Sequence, residues 1–291
     1  MSVRPKKRLG QHFLTDPNTI RRIADAVGAP VGTRVVEIGP GEGALTGELL
    51  RRYPDLVALE VDDEAIGHLR SRFPALDVRA GDVLDADWRA LREGAGGGRQ
   101  QGGTARAVGE EPPDPRSPPP IPTGPLYVVG NLPYYITSPI LFALLDAREH
   151  VARAVVMVQK EVADRIVAPP GSKTYGTLSV YFALYADAAP LFDVSRHCFR
   201  PKPSVESAVV ALDFAGASPP DVPFAALQRT VRAAFGQRRK MLRNSLGALA
   251  AQAGVDLPDW AATLRPEAVS PADFVRLARH LGGPDARPPG P

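Results

Sequence analysis

The stretch Thr33 to Arg52, TRVVEIGPGEGALTGELLRR, restricts the fold more than any other part of the chain. A short β-branched run ends in Gly39, Gly41 and Gly43, and Leu45, Leu49 and Leu50 then fall at helical spacing. That is strand, glycine turn, helix. The plan recurs in LVALEVDDEAIGHLRSRF, where apolar Leu56 to Val61 gives way to an acidic helix start with Ile66 and Leu69 inward. LDVRAGDVLDADW reads as a third strand ending at Asp82. LYVVGNLPYY is a fourth, followed by a helix carrying Ile140, Leu141, Leu144 and Leu145, and ARAVVMVQKEVADRIVA adds a fifth pair. Strands alternating with helices predict an α/β fold, a parallel sheet covered by helices on both faces. At 291 residues and 44% hydrophobic content the chain can bury a core for one large domain or two.

The pattern then changes. Leu178 to Tyr185 fits helix or strand, and helix is preferred. APLFDV and SAVVALDF read as two antiparallel strands joined through the proline-bearing HCFRPKP. Beyond GASPPDVP the spacing predicts only helices: Phe224 to Phe235, Arg239 to Ala253, a turn near Pro258, and Ser270 to Leu281. The expected division is therefore 1–215 and a small helical domain over 222–291. Residues 93–125 are rich in Gly and then Pro, with hardly any apolar side chains. Such a segment cannot bury enough surface to offset its ordering entropy and is expected to be a mobile insertion.

No apolar run approaches membrane-spanning length. The start MSVRPKKRLGQHF is basic but lacks the apolar stretch of a secretion signal. A single cysteine, Cys198, excludes an internal disulfide and suits a reducing, cytoplasmic setting. No metal site is expected. The net charge of +3 is a mild bias, but basic residues cluster in RPKKR and in RRKMLR, which suits phosphates.

In a sheet of this kind ligands lie beyond the carboxyl ends of the strands. Gly39, Gly41 and Ala44 satisfy the dinucleotide pattern G-x-G-x-x-A, so a nicotinamide enzyme is one reading. Glu60 ends the second strand, where a carboxylate accepts from both ribose hydroxyls of NAD or of S-adenosylmethionine. Asp82 is placed to accept from an adenine amino group, or else is a turn or cap residue, since Gly81-Asp82 is also a turn signal. NLPYY separates the rivals. Hydride transfer needs a proton relay, whereas Asn131, Leu132, Pro133 and Tyr134 offer a carboxamide, a carbonyl stiffened by the following proline, and an aromatic face. An exocyclic adenine nitrogen is a poor nucleophile because its lone pair is delocalised. Hydrogen bonds to the Asn131 oxygen and the Leu132 carbonyl would free that lone pair. Stacking of the base on Tyr134 is worth roughly 1–3 kcal/mol, and catalysis is mostly positioning.

QHFL, EIGPGEGALT, NLPYYITSP, QKEVADRI, CFRPKPSVESAVV and FGQRRKMLRNSL resemble, in order, the ribosomal RNA adenine N6-dimethyltransferases of the bacterial KsgA/RsmA group. The resemblance implies a Rossmann-like class I methyltransferase: a seven-stranded, mostly parallel sheet with its last strand antiparallel, plus an all-helical C-terminal domain. It implies that two adjacent adenosines near the 3′ end of 16S rRNA, in a 30S subunit precursor, each receive two methyl groups from S-adenosylmethionine. By motif position, His12, Leu14, Gly39, Gly41, Glu60, Asp82 and Asn131 hold the cofactor. By the same resemblance Phe199 is expected to sandwich the flipped adenine against Tyr134. From the basic cluster RRKMLR, Arg238, Arg239, Lys240 and Arg243 are expected to meet RNA phosphates, and a monomer is expected because nothing in the sequence suggests an oligomer. Many relatives carry Asn where this chain has His12, and the insertion is outside the usual pattern. A large-subunit resistance methyltransferase and a particle-binding assembly factor are the alternatives.

Overall fold

The computed structural model of the chain describes residues 5–6, 10–93 and 124–282. The expected insertion therefore lies almost wholly outside the described residues, as do Arg4, Lys7 and Arg8. In chain order the elements are β1 (Phe13–Leu14), α1 (Pro17–Ala26), β2 (Val35–Ile38), α2 (Ala44–Leu50), β3 (Leu56–Glu60), α3 (Asp63–Arg72), β4 (Asp77–Ala80) and α4 (Trp88–Glu93). Then follow β5 (Leu126–Asn131), α5 (Thr137–Asp146), β6 (Val151–Gln159), α6 (Lys160–Ile166), α7 (Thr177–Tyr185), β7 (Asp187–Val194), β8 (Phe199–Arg200) and β9 (Ser207–Asp213). The chain continues with α8 (Phe224–Gly236), α9 (Leu242–Ser245), α10 (Gly247–Ala253), α11 (Asp259–Ala262) and α12 (Pro271–Leu281).

Seven strands form one sheet in the order β4-β3-β2-β5-β6-β9-β7. The pairs from β4 through β6 are parallel. β9, the last strand among the described residues, runs antiparallel between β6 and β7. Every residue of β2 and β3 is buried, as strands covered on both faces require. Alternate residues serve opposite faces. Val35 and Val129 join Ile23, Leu49 and Leu69 of α1–α3 on one side. Val36 and Val128 join Leu141, Leu144, Phe182 and Trp88 on the other. That second cluster runs on through Leu227, Val231, Leu242, Leu246, Phe274 and Leu277 of the C-terminal helices. α7 lies between sheet and C-terminal helices and buries Leu178, Val180, Tyr181, Phe182 and Tyr185. Being apolar all round is why its pattern fits either secondary structure.

Two expectations change. The third strand stops at Ala80, and Asp82 instead caps a single helical turn, Val83–Asp85, through Leu84 N at 3.0 Å. Arg239 to Ala253 is not one helix: residues 237–240 turn, and α9 and α10 follow separately. The Leu242 amide bonds the Leu264 carbonyl, and Leu242 and Leu246 are fully buried, so tertiary packing breaks a run that propensity alone would continue. β1 and β8 form a two-stranded ladder, Phe13 opposite Arg200 and Leu14 opposite Phe199, too short for any sequence pattern to show.

Candidate active site

The parallel strands reverse direction of travel across the sheet between β2 and β5, and the crevice for a ligand opens there. Ile38 lies beside both Leu59 and Gly130, so Gly39, Glu60 and Asn131 meet at one sheet edge. The cleft at that edge is lined by these three, by Gly41 and Asp82, and by Gly10–Phe13 and Leu132–Ile136.

Gly39 has φ +63°, and a Cβ there would find no atom of the described residues beyond its chain neighbours within 4 Å. The glycine is needed for the turn and leaves open space above the backbone. Gly41 has φ +54°, and a Cβ would stand 2.7 Å from the Phe13 ring, which packs on it. The Glu60 carboxylate accepts from Gly41 N at 3.0 Å and from Val61 N and Asp62 N at 2.9 and 3.0 Å. Three backbone amides thus aim one buried carboxylate at the cleft, leaving acceptor capacity for a ligand hydroxyl. Asp82 is exposed and spends one oxygen on its cap.

Asn131 donates through Nδ2 to the His12 carbonyl at 2.8 Å. Only an N–H can serve that carbonyl, so the amide is oriented and Oδ1 accepts nothing from the described residues. Leu132 N bonds the Met157 carbonyl at 3.0 Å, and Pro133, with φ −60°, has no N–H to offer the chain. The Pro133 carbonyl takes Ile136 N and Thr137 Oγ1, closing the turn that carries Tyr134. The Tyr134 hydroxyl lies 2.6 Å from Ser207 Oγ, and its ring stacks with the His12 imidazole at 5.4 Å between centroids and 30° between planes. Burial pushes the phenol above its ordinary pKa, so it stays neutral. His12 Nδ1 lies 2.7 Å from the Pro201 carbonyl, which can only accept, so Nδ1 carries the hydrogen.

The structure therefore brings His12, Gly39, Gly41, Glu60, Asp82, Asn131, Leu132, Pro133 and Tyr134 together. It does not bring Phe199 into the cleft. That ring is 5% exposed and packs with Leu14 and Val194, because β8 pairs with β1 and turns the side chain into the core. Leu14 borders a small side cavity shared with Glu37, Gly39 and Asn131. Arg238, Arg239, Lys240 and Arg243 are exposed on the turn after α8 and on α9, outside the cleft.

Lys6, Gln11, Asp62, Ser207 and Glu37 were not anticipated as contributors. Lys6 pairs with Asp62 and lies 3.3 Å from Glu64, while Gln11 Nε2 reaches Asp62 at 3.3 Å. These contacts tie Lys6 and Gln11 to the start of α3. Burial alone would raise the Asp62 carboxyl, but Lys6, the Glu64 amide and Gln11 hold it below the usual range. Ser207 opens an apolar run and resembles a strand start. Glu37 did carry a signal, an acid inside VVEI. It is 2% exposed, and burial pushes its carboxyl up to about 8. The Thr46 hydroxyl beside it offsets this in part, yet among the described residues neither Glu37 Oε2 nor Thr46 Oγ1 has a hydrogen-bond partner of normal geometry. A carboxyl whose pKa rises on folding binds more protons folded than unfolded between about pH 4.5 and 8. Stability is lost as pH rises through that window, with a slope approaching about 1.4 kcal/mol per unit. Glu37→Gln is expected to flatten that decline. Urea unfolding at pH 5 and pH 8 checks it, and parallel losses in the two proteins would refute the burial of a neutral acid.

A model of the ribosomal RNA adenine dimethylase family matches residues 3–278. A ribosomal RNA small subunit methyltransferase A of Salinibacter ruber is 46% identical over 280 residues, covering 96% of this chain and 85% of that protein. The protein of the same name from Methylococcus capsulatus is 41% identical, covering 95% and 98%. Among solved structures, a dimethyladenosine transferase from Plasmodium falciparum superposes with a TM-score of 0.65 over 91% of this chain and 96% of that one, a likeness of fold at 21% identity. The 23S rRNA methyltransferase ErmE gives a TM-score of 0.56 at 28% identity, covering 93% and 99%.

Proposed function

Since the chain belongs to the ribosomal RNA adenine dimethylase family, we propose that it dimethylates the N6 amino groups of two adjacent adenosines near the 3′ end of 16S rRNA. The substrate is the precursor of the 30S subunit, the methyl donor is S-adenosylmethionine, and the enzyme works as a cytoplasmic monomer. The observation that carries the reading is the Asn131 carboxamide, oriented through its nitrogen so that its oxygen is left for an amine, beside an aromatic face at the ligand edge of the sheet.

The residues present fit the cofactor. Glu60 is a preorganised acceptor for ribose hydroxyls, the second oxygen of Asp82 suits an adenine amine, and the open space above Gly39 admits a close backbone approach. Gly10–Phe13 close over the same cleft. S-adenosylmethionine, when bound, supplies an electrophilic methyl group. The chain's own part is positional. Asn131 Oδ1 and the Leu132 carbonyl accept the N–H groups of the target amine and draw its lone pair out of the ring. Tyr134 stacks on the base, which has left its helix to reach the cleft. The proton released from nitrogen passes to water, and no strong base is needed. Residues 1–215 carry this chemistry, and 222–291 carry docking to the particle.

Arg165, Arg232 and Arg238 line a groove with Ser138, in the first turn of α5 just past the NLPYY turn. With Arg239, Lys240 and Arg243 exposed beyond it, phosphates have a path from the C-terminal helices toward the cleft. Removing the four charges at 238, 239, 240 and 243 together is expected to reduce the slope of log affinity against log salt by up to about 0.7–0.9 for each phosphate no longer neutralised. A particle-binding titration from 50 to 200 mM salt reads this, and an unaltered slope removes these residues from the interface. The function as a whole is tested by mass mapping of methylated nucleotides in small-subunit rRNA from cells lacking the protein. Full dimethylation in that strain, or labelling of large-subunit rRNA by the purified enzyme, would overturn it.

A further inference from the structure

Ser207 is fully buried and is the first residue of β9, with Gln159 of β6 on one side and Val194 of β7 on the other. β9 is the strand that runs against the others. Its first residue therefore stands at the edge where the parallel strands end, which is the edge of the cleft. Two ladders hold the Ser207 backbone, so its hydroxyl is a fixed point. Tyr134 has no such support. It sits on a single helical turn, Tyr134–Ile136, closed by the Pro133 carbonyl. Among the described residues the far end of its side chain is tied by one hydrogen bond, the 2.6 Å contact between Tyr134 Oη and Ser207 Oγ. The His12 imidazole lies against the ring without restraining rotation in the ring's own plane.

We propose that Ser207 is a positioning residue for methyl transfer, its hydroxyl locking the Tyr134 ring in the plane against which the target adenine stacks. The inference rests on the function proposed above and assigns a new part to a residue outside the NLPYY motif. A stacking ring that swings lets the base slide in its own plane, and the amine then drifts from Asn131 Oδ1. Such misplacement is costly when catalysis is mostly orientation. The second methylation suffers more than the first. An unmodified adenine amine has two N–H groups to place between Asn131 and Leu132. After one transfer it has a single N–H, so stacking carries a larger share of the alignment. Loss of the Ser207 bond should make monomethyladenosine accumulate.

The test is a double-mutant cycle with Ser207→Ala, Tyr134→Phe and both together, assayed on 30S precursor particles. Cofactor affinity and urea unfolding are measured alongside. Either single change is expected to lower kcat about 10-fold and raise the ratio of mono- to dimethyladenosine, with KM and cofactor Kd within about twofold of wild type. The double variant should be no worse than the singles, because both remove the same bond. Additive losses, or wild-type product ratios in the variants, overturn the proposal. If Ser207→Ala fails to fold, Tyr134→Phe decides alone, since it breaks the bond from the less buried side. Wild-type enzyme that yields no dimethyladenosine would instead sink the functional reading itself.

Discussion

Asn131→Ala is expected to lower kcat by about 10²–10³-fold, the usual cost of deleting one preorganised polar group from a reacting centre. The carboxamide does two things through two atoms. Nδ2 holds the His12 carbonyl, and in the proposed reaction Oδ1 accepts from the target amine. Alanine removes both, and only the second touches chemistry. Loss of the first should loosen the N-terminal segment and cost about 1 kcal/mol of stability, the ordinary net worth of a half-buried hydrogen bond. Single-turnover methylation together with urea unfolding separates the two. The assignment is refuted if kcat stays within about threefold of wild type. Particle binding should survive the change, because the exposed cations of residues 238–243 lie elsewhere. Binding that collapsed along with turnover would mean that the fold had been damaged.

The second large effect is expected of Glu60→Gln. The substitution keeps the shape and removes the charge. The carboxylate now serves the amides of Gly41, Val61 and Asp62 with both oxygens. A glutamine must turn an NH2 group toward one of those donors and leaves a buried N–H facing N–H, at a cost of about 1–3 kcal/mol. The same side chain then offers less to a ribose. Two hydrogen bonds to a charged acceptor, at about 1.5 kcal/mol each, correspond to a weakening of S-adenosylmethionine binding by about 10²-fold. Calorimetric titration and thermal melting both report on it, and they should fall together. Normal melting with unchanged cofactor affinity would show that Glu60 does not face the ribose.

These two residues were legible in the sequence for a common reason. Each ends a strand of a parallel sheet, and ligands gather where such strands end. Given alternating strands and helices around TRVVEIGPGEGAL, the positions of Gly39, Glu60 and Asn131 at one edge follow from the architecture. Asp82 reached the cleft as expected, although as the cap of a turn beyond its strand. Phe199 did not, because its orientation depends on a ladder of two residues formed with the N-terminus. Arg239 to Ala253 looked continuous since each residue tolerates helix, and it is broken by the packing of Leu242 and Leu246 and by the bond to Leu264.

The sequence alone determined the layered α/β fold, the edge at which the cleft opens and the polar and aromatic groups that line it. These depend on the period of apolar residues and on glycine and proline at turns, which are local properties. Only the tertiary structure decided which atoms of those groups remain free. It turned the Asn131 oxygen outward through His12, tied Tyr134 to Ser207, set the Lys6–Asp62 link and left Glu37 Oε2 buried with no hydrogen-bond partner among the described residues. Each of those outcomes joins residues far apart in the chain, or depends on what packs around one of them, and no pattern of neighbouring letters encodes a contact made by folding.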